Sequence, residues 1–216
     1  MPLLQLQDIT ASYGTQRVLG PISLQIRSGE CVALVGQSGA GKSTLLGILY
    51  ERMRADAAFM PQELGLVQSL SVFHNVFMGQ LANHPAWYNV ANLIRPFRRE
   101  IAVIESLLQR LSIADKIWTP VGELSGGQKQ RTAVARSLHQ CAQILLADEP
   151  VSALDGPQAE RVMDCLTERY PTAIIAMHDV ELALRYAHRI IGIRQGEVVL
   201  DEPGAGLKPQ DLLFLY

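Results

Sequence analysis

Apolar residues follow three rhythms along this chain, and the changes between them divide it. The opening stretches "LLQLQDITASY" and "ISLQIRSGE" alternate apolar and polar residues, which predicts strands with one wet face. "CVALVG" is a continuous apolar run closed by glycine, the pattern of a strand covered on both faces in a parallel sheet. "STLLGILYERM" predicts a helix opened by Ser43 and Thr44, and "AAFMP" a short strand stopped by Pro61. From about Gln62 to Cys141 the strand patterns vanish. There "REIAVIESLLQRL" sets Ile101, Ile104, Leu108 and Leu111 on one helical face, and "GQKQRTAVARSLHQ" also reads as a helix. The strand–helix alternation then returns with "QILLADEP", "PQAERVMDCLTERY", "TAIIAMH" and "DVELALRYAHRI". A hairpin, "IIGIRQGEVVLDE", follows and turns at Gln195-Gly196. These rhythms predict an α/β domain over 1–216, with a parallel sheet and right-handed crossovers. Its core takes about 1–62 and 142–216, and a helical subdomain of about 63–141 is inserted.

Composition narrows this only a little. The 216 residues are enough for one domain with a sizeable core, and 48% hydrophobic with 19% charged residues is ordinary for a soluble globular chain. A net charge of −2 gives no bulk attraction for nucleic acid, so no nucleic-acid partner is expected. Cys31, Cys141 and Cys165 are scattered without metal or redox spacing and are expected to be reduced, buried thiols. The start "MPLLQLQDIT" lacks the basic and apolar segments of a signal peptide, and no apolar run approaches the roughly 20 residues of a membrane span. Any role at a membrane is therefore expected to be played from outside the lipid.

The chemistry sits where the rhythms change. Gly36 to Ser43 fits G-x-x-x-x-G-K-[ST] between a buried strand and a helix. Glycines let successive backbone N–H groups turn toward one anion, and the helix N-terminus adds favourable partial charge. Lys42 would reach the β- and γ-phosphates of a nucleoside triphosphate, and Ser43 would ligate Mg²⁺. In "ILLADEP", Asp148 and Glu149 end a buried strand, at the crevice where parallel sheets bind ligands. Asp148 would hold the Mg²⁺ hydration shell, and Glu149 would orient or deprotonate an attacking water. "LSGGQKQR" opens a helix with a Ser-Gly-Gly turn whose N–H groups form a second anion site.

The ordered set "GQSGAGKST", "LSGGQKQR", "ILLADEP", "SALD" and "MHD" resembles the ATP-binding cassette (ABC) family of ATPases, over essentially the whole chain. The resemblance implies a P-loop NTPase (RecA-like) core with an antiparallel β part and an inserted α-helical subdomain. It makes ATP and Mg²⁺ the expected cofactors. Tyr13 matches the aromatic that stacks on adenine, while Gly36, Gln37, Ser38, Gly39, Ala40, Gly41, Lys42, Ser43 and Thr44 match the nucleotide-binding loop. Glu149, His178 and Gln62 match the catalytic set, and Ser43, Gln62 and Asp148 the metal set. Ser125, Gly126, Gly127 and Gln128 match the signature, which in the family closes over the γ-phosphate held by the other protomer of a head-to-tail dimer. Residues 152–155 match the loop that communicates across that dimer. His74, His84, His139 and His188 form no ligand pattern and are expected to be structural or surface residues.

Twenty positions separate Lys42 from Gln62, fewer than the family usually has, so part of the antiparallel sheet near the adenine is expected to be missing. The long aromatic stretch after Gln62, with "RLSIADK", "LADEPVSALD" and the closing "DLLFLY", is similar to the ATPase subunits of phosphonate-type importers. That likeness implies a transmembrane permease, a solute-binding protein, and a peripheral place on the cytoplasmic face of the inner membrane. Trp87, Tyr88, Phe97, Arg95, Arg98 and Arg99 would then lie near the groove for the permease's coupling helix. DNA-repair ATPases carry long coiled coils, translation ATPases two cassettes, and nucleotide kinases no "LSGGQ". Cassettes driving export or lipid release are the nearer alternative.

Overall fold

The computed structural model describes residues 2–216, the side chains of Pro2 and Tyr13 excepted. In chain order the elements are β1 (Pro2–Tyr13), β2 (Gln16–Arg27), β3 (Cys31–Val35), α1 (Lys42–Met53), β4 (Ala57–Met60), α2 (Val72–Phe77), α3 (Ala86–Ile94) and α4 (Arg98–Arg110). They continue with α5 (Gly126–His139), β5 (Ile144–Asp148), α6 (Gly156–Arg169), β6 (Thr172–Ala176), α7 (Val180–Tyr186), β7 (Arg189–Arg194) and β8 (Glu197–Pro203). Two compact units result. One holds the chain up to Gln62 with Gln143–Ser152 and Tyr170–Tyr216; the other holds Glu63–Ala142 and Ala153–Arg169.

The first unit is built on a six-stranded sheet in the order β4-β5-β6-β3-β7-β8, parallel except for β8. Strands β3, β5 and β6 are buried at every position, which is why their sequences are continuous apolar runs rather than alternating ones. Leu45, Leu46 and Leu49 of α1 are wholly buried against this core, with Val32 and Leu34 of β3 and Ile191 and Ile193 of β7. Helix α1 starts one residue earlier than its composition indicates. Its cap is Gly41 in the left-handed region, and Ser43 and Thr44 fall inside the first turn.

A separate antiparallel pair, β1–β2, buries Leu24 and Ile26 and exposes Ser23 and Gln25, as its alternation predicts. Among the described residues that sheet has two strands only. Helix α1 passes through residues 54–56 straight to β4, in keeping with the short Lys42–Gln62 spacing. The β7–β8 hairpin turns on Gln195 and Gly196, with φ of 51° and 81°. Two left-handed residues give the primed turn whose twist matches that of the strands. The tip does more than connect: Gly196 N–H donates to the Ala40 carbonyl (3.0 Å), and the Gly196 carbonyl accepts from Gly20 N–H (2.7 Å).

The second unit is helical. Ile104 and Leu108 form the buried face of α4, continued by the C-cap Leu111, with Ile101 half-buried at its edge. Helix α6 groups with this unit although it stands between two strands in the sequence; its Val162, Met163 and Leu166 are buried. Asn75, wholly buried in α2, sews the preceding loop together. Its Oδ1 accepts from Val67 N–H (2.8 Å) and its Nδ2 donates to the Val67, Leu70 and Ser71 carbonyls. Arg136 of α5 donates to the carbonyls of Leu64 (2.5 Å) and Gly65 (2.8 Å).

One expectation fails among the cysteines. Cys31 and Cys165 are buried, but Cys141 is exposed, because Ala142 takes the inward place at the bend after α5. Among the described residues no helix is long and apolar enough to cross a membrane.

Candidate active site

The phosphate loop is pressed into shape by its neighbours. Gly36 has φ 144°, and a Cβ there would stand 2.1 Å from the Ile193 carbonyl oxygen of β7. Gly41, with φ 109°, would meet Leu19 Cδ1 at 2.8 Å. Gly36 cannot hold a side chain, and one at Gly41 would displace Leu19 on a backbone angle that already favours glycine. Gly39 (φ 79°) faces open space, so only its backbone angle favours glycine. Lys42 is 5% exposed, and its Nζ donates to the Gly36 (2.7 Å) and Gln37 (2.9 Å) carbonyls. Burial pushes its pKa down, while the nearby Glu149 and Asp148 carboxylates oppose that. A cleft lined by Val18, Ser38, Gly39, Gly41, Lys42, Ser43, Thr44, Gln62 and Glu149 opens beside the loop. A larger open groove over β1 and β2, lined by Asp8, Ser23 and Arg189, carries none of these groups.

Two adjacent parallel strands deliver the acid and the histidine. Asp148, 4% exposed, ends β5. Glu149 follows with φ 54°, an unusual angle for a residue with a Cβ, and its N–H donates to the Ala176 carbonyl of β6 (3.0 Å). Past the end of β6, Met177 N–H donates to the Leu34 carbonyl (3.0 Å), and Asp179 caps α7 by accepting from Leu182 N–H (2.9 Å). His178, between them, places Nε2 2.6 Å from Glu149 Oε1. Thus Glu149, Gln62, Lys42 and Ser43 share one cleft, and His178 joins them through the Glu149 contact. Tyr13 closes β1 opposite Gln16, and its side chain lies outside the described residues.

Ser125, Gly126, Gly127 and Gln128 belong to the helical unit, at the start of α5. Ser125 Oγ accepts from Gln128 N–H (3.4 Å), and Gln128 Oε1 accepts from Ser125 N–H (2.9 Å), a reciprocal capping box. The Ser125 hydroxyl and the Gln128 N–H are therefore engaged within the helix start rather than exposed and unpaired. Gly126 and Gly127 keep first-turn N–H groups with no intrahelical acceptor, and the Ser125 O–H remains a donor. A Cβ on Gly127 would stand 3.0 Å from the Ala153 carbonyl oxygen, so this turn is closely packed. Gln130 Oε1 accepts from Ala153 N–H (2.8 Å), which links the helix to the "SALD" stretch. Neither Gln130 nor Val18 stands out in the sequence, since each acts through a contact between distant segments.

A phosphate loop on a parallel sheet, with a glutamate–histidine pair at the strand ends, defines a nucleoside triphosphatase. The chain belongs to the ABC transporter family, whose pattern matches residues 19–152, and it is an ATP-binding ATPase of that family. It is 38% identical to the phosphonates import ATP-binding protein PhnC of Lactobacillus acidophilus, over 93% of this chain and 89% of the relative. It is also 38% identical to the PhnC of Paraburkholderia xenovorans, over 99% of this chain and 81% of that one. The first alignment runs over 230 positions but takes in about 201 of the 216 residues here, so about 29 positions have no counterpart in this chain. Among solved structures, the cassette MJ0796 in its dimeric post-hydrolysis state bound to ADP and Pi is 27% identical, with a TM-score of 0.75. It covers 94% of this chain and 99% of its own.

Proposed function

We propose that this chain is the ATP-hydrolysing subunit of a solute importer, acting as one half of a head-to-tail pair on a separate permease. The observation that carries the reading is the 2.6 Å contact between Glu149 and His178 at the cleft that holds Lys42 and Ser43. Glu149 takes the proton from a water attacking the γ-phosphate, while His178 orients Glu149 and contacts that phosphate. Lys42 exchanges the Gly36 and Gln37 carbonyls for phosphate oxygens, as a preorganised positive charge. Ser125, Gly126 and Gly127 of each copy donate to the ATP held by the other, completing its electrostatic cradle.

Mg²⁺ fits the donors present. Ser43, Gln62 and Asp148 offer only oxygen ligands, and an ion held mainly by water and phosphate needs few carboxylates. Among the described residues no group of three His, Cys, Asp or Glu side chains is placed to hold a metal ion, and the set proposed here needs only one carboxylate. When bound, the ion neutralises charge on the transferred phosphate.

The names of the relatives support a phosphonate or related oxyanion as solute, delivered by a solute-binding protein, with this subunit on the cytoplasmic face of the membrane. Trp87, Val90 and Ile94 of α3 are 69%, 54% and 80% exposed, an apolar face suited to the permease. Tyr88 and Phe97 pack on each other instead, with ring centroids 4.9 Å apart. Glu149→Gln is expected to bind ATP normally and to lose hydrolysis by on the order of 10²–10⁴-fold. Wild-type turnover in that variant overturns the assignment. Phosphonate-stimulated ATPase activity in vesicles holding the permease and binding protein tests the solute.

A further inference from the structure

The segment that follows β8 returns to the active site. Within the short helical turn Pro209–Leu215, Leu212 and Leu215 are 0% and 1% exposed. Leu215 seats on Gly192 of β7 so closely that a Cβ on that glycine would come within 2.8 Å of its side chain. This anchor delivers Tyr216 to the phosphate loop. The main-chain carbonyl of Tyr216 accepts a hydrogen bond from the Gln37 side-chain amide. Its phenol donates to the His178 carbonyl at 3.2 Å. Burial pushes the pKa of that phenol up. The phenol stays protonated, and so a donor, through neutral pH.

We propose that Tyr216 is a positioning residue for ATP hydrolysis, holding His178 in register with the phosphate loop. The side chain of His178 is 40% exposed, so packing alone holds it loosely. Its backbone is pinned on either side, by Met177 to β3 and by Asp179 to α7, and Tyr216 fixes the carbonyl between them. Through its main-chain carbonyl, Tyr216 is also bonded to Gln37, one of the two residues whose carbonyls accept from Lys42. One residue thus ties the histidine switch to the lysine that receives the phosphates. Nothing in the spacing of "DLLFLY" reveals this, because the partners lie far away in sequence.

The proposal rests on His178 acting in hydrolysis, and the test separates the two claims. In the full chain, Tyr216→Phe removes only the hydroxyl. We expect kcat to fall about three- to tenfold, as for loss of one hydrogen bond, with KM for ATP and the melting temperature essentially unchanged. In a His178→Ala background the same substitution should leave the residual rate unchanged, since the group being positioned is gone. A raised KM with kcat intact, an unaltered kcat, or an equal loss in both backgrounds overturns the positioning role. Full activity in His178→Ala alone overturns instead the part assigned to the histidine.

Discussion

Glu149 offers a measurable trade between stability and chemistry. Its φ of 54° puts a residue with a Cβ in the left-handed region, between buried β5 and the Ala176 carbonyl it bonds. Such a backbone costs an L-residue about 1–2 kcal/mol. Glycine escapes that cost but loses about 0.5–1 kcal/mol to the greater freedom of its unfolded chain. Comparing Glu149→Gly with Glu149→Ala isolates the backbone contribution, because both lose the carboxylate and its contact with His178. The glycine variant should be the more stable by about 0.5–1 kcal/mol. In a chain of this size that is about 1–4 °C in melting temperature. Urea unfolding with matched m-values is the assay, and both variants should be unable to hydrolyse ATP. A glycine variant no more stable than the alanine one refutes the strain at this position. The expected ordering means the natural sequence accepts a less stable backbone to aim this carboxylate.

Gly36→Ala should abolish nucleotide binding, measured with a fluorescent ATP analogue, because its Cβ meets a carbonyl oxygen at 2.1 Å. Gly39→Ala, in open space, should cost only about 1 kcal/mol of backbone strain and weaken binding no more than about tenfold. Equal effects would contradict the packing of the loop. Iodoacetamide at pH 8 should modify the exposed Cys141 and spare Cys31, whose pKa is pushed up to about 11 by burial and then by Glu30. Between pH about 9 and about 11 the unfolded thiol has lost its proton and the folded one has kept it. Stability should therefore fall as pH rises through that window, by up to about 1.4 kcal/mol per unit, and Cys31→Ala should flatten the slope.

Much of the fold is written in local pattern. The unbroken apolar runs of β3, β5 and β6 announce strands covered on both faces, and Gln195-Gly196 announces the primed turn between β7 and β8. The phosphate loop is legible because its glycines answer a local demand. Even the capping box of Ser125 and Gln128 is visible as S-x-x-Q. What local pattern does not carry is the meeting of distant segments. The left-handed turn of Glu149, its contact with His178, Val18 in the cleft and Tyr216 against Gln37 and His178 all depend on how strands align, not on which residues stand near in sequence. The grouping of α6 with the helical unit has the same origin, since periodicity says which face of a helix is dry and not which neighbour dries it.

Hairpin tips are ordinarily where a protein tolerates inserted peptide, because they are exposed and bonded to little else. The tip at Gln195-Gly196 departs from that habit. Its glycine is bonded on one side to Ala40 in the phosphate loop and on the other to Gly20 in β2, and a Cβ on it would stand 2.5 Å from the Val18 carbonyl oxygen. It works like the wedge that closes an arch, holding apart and together two segments that never touch in sequence. A tag, probe or reporter placed there would have to break the bonds of Gly196 to Ala40 and Gly20.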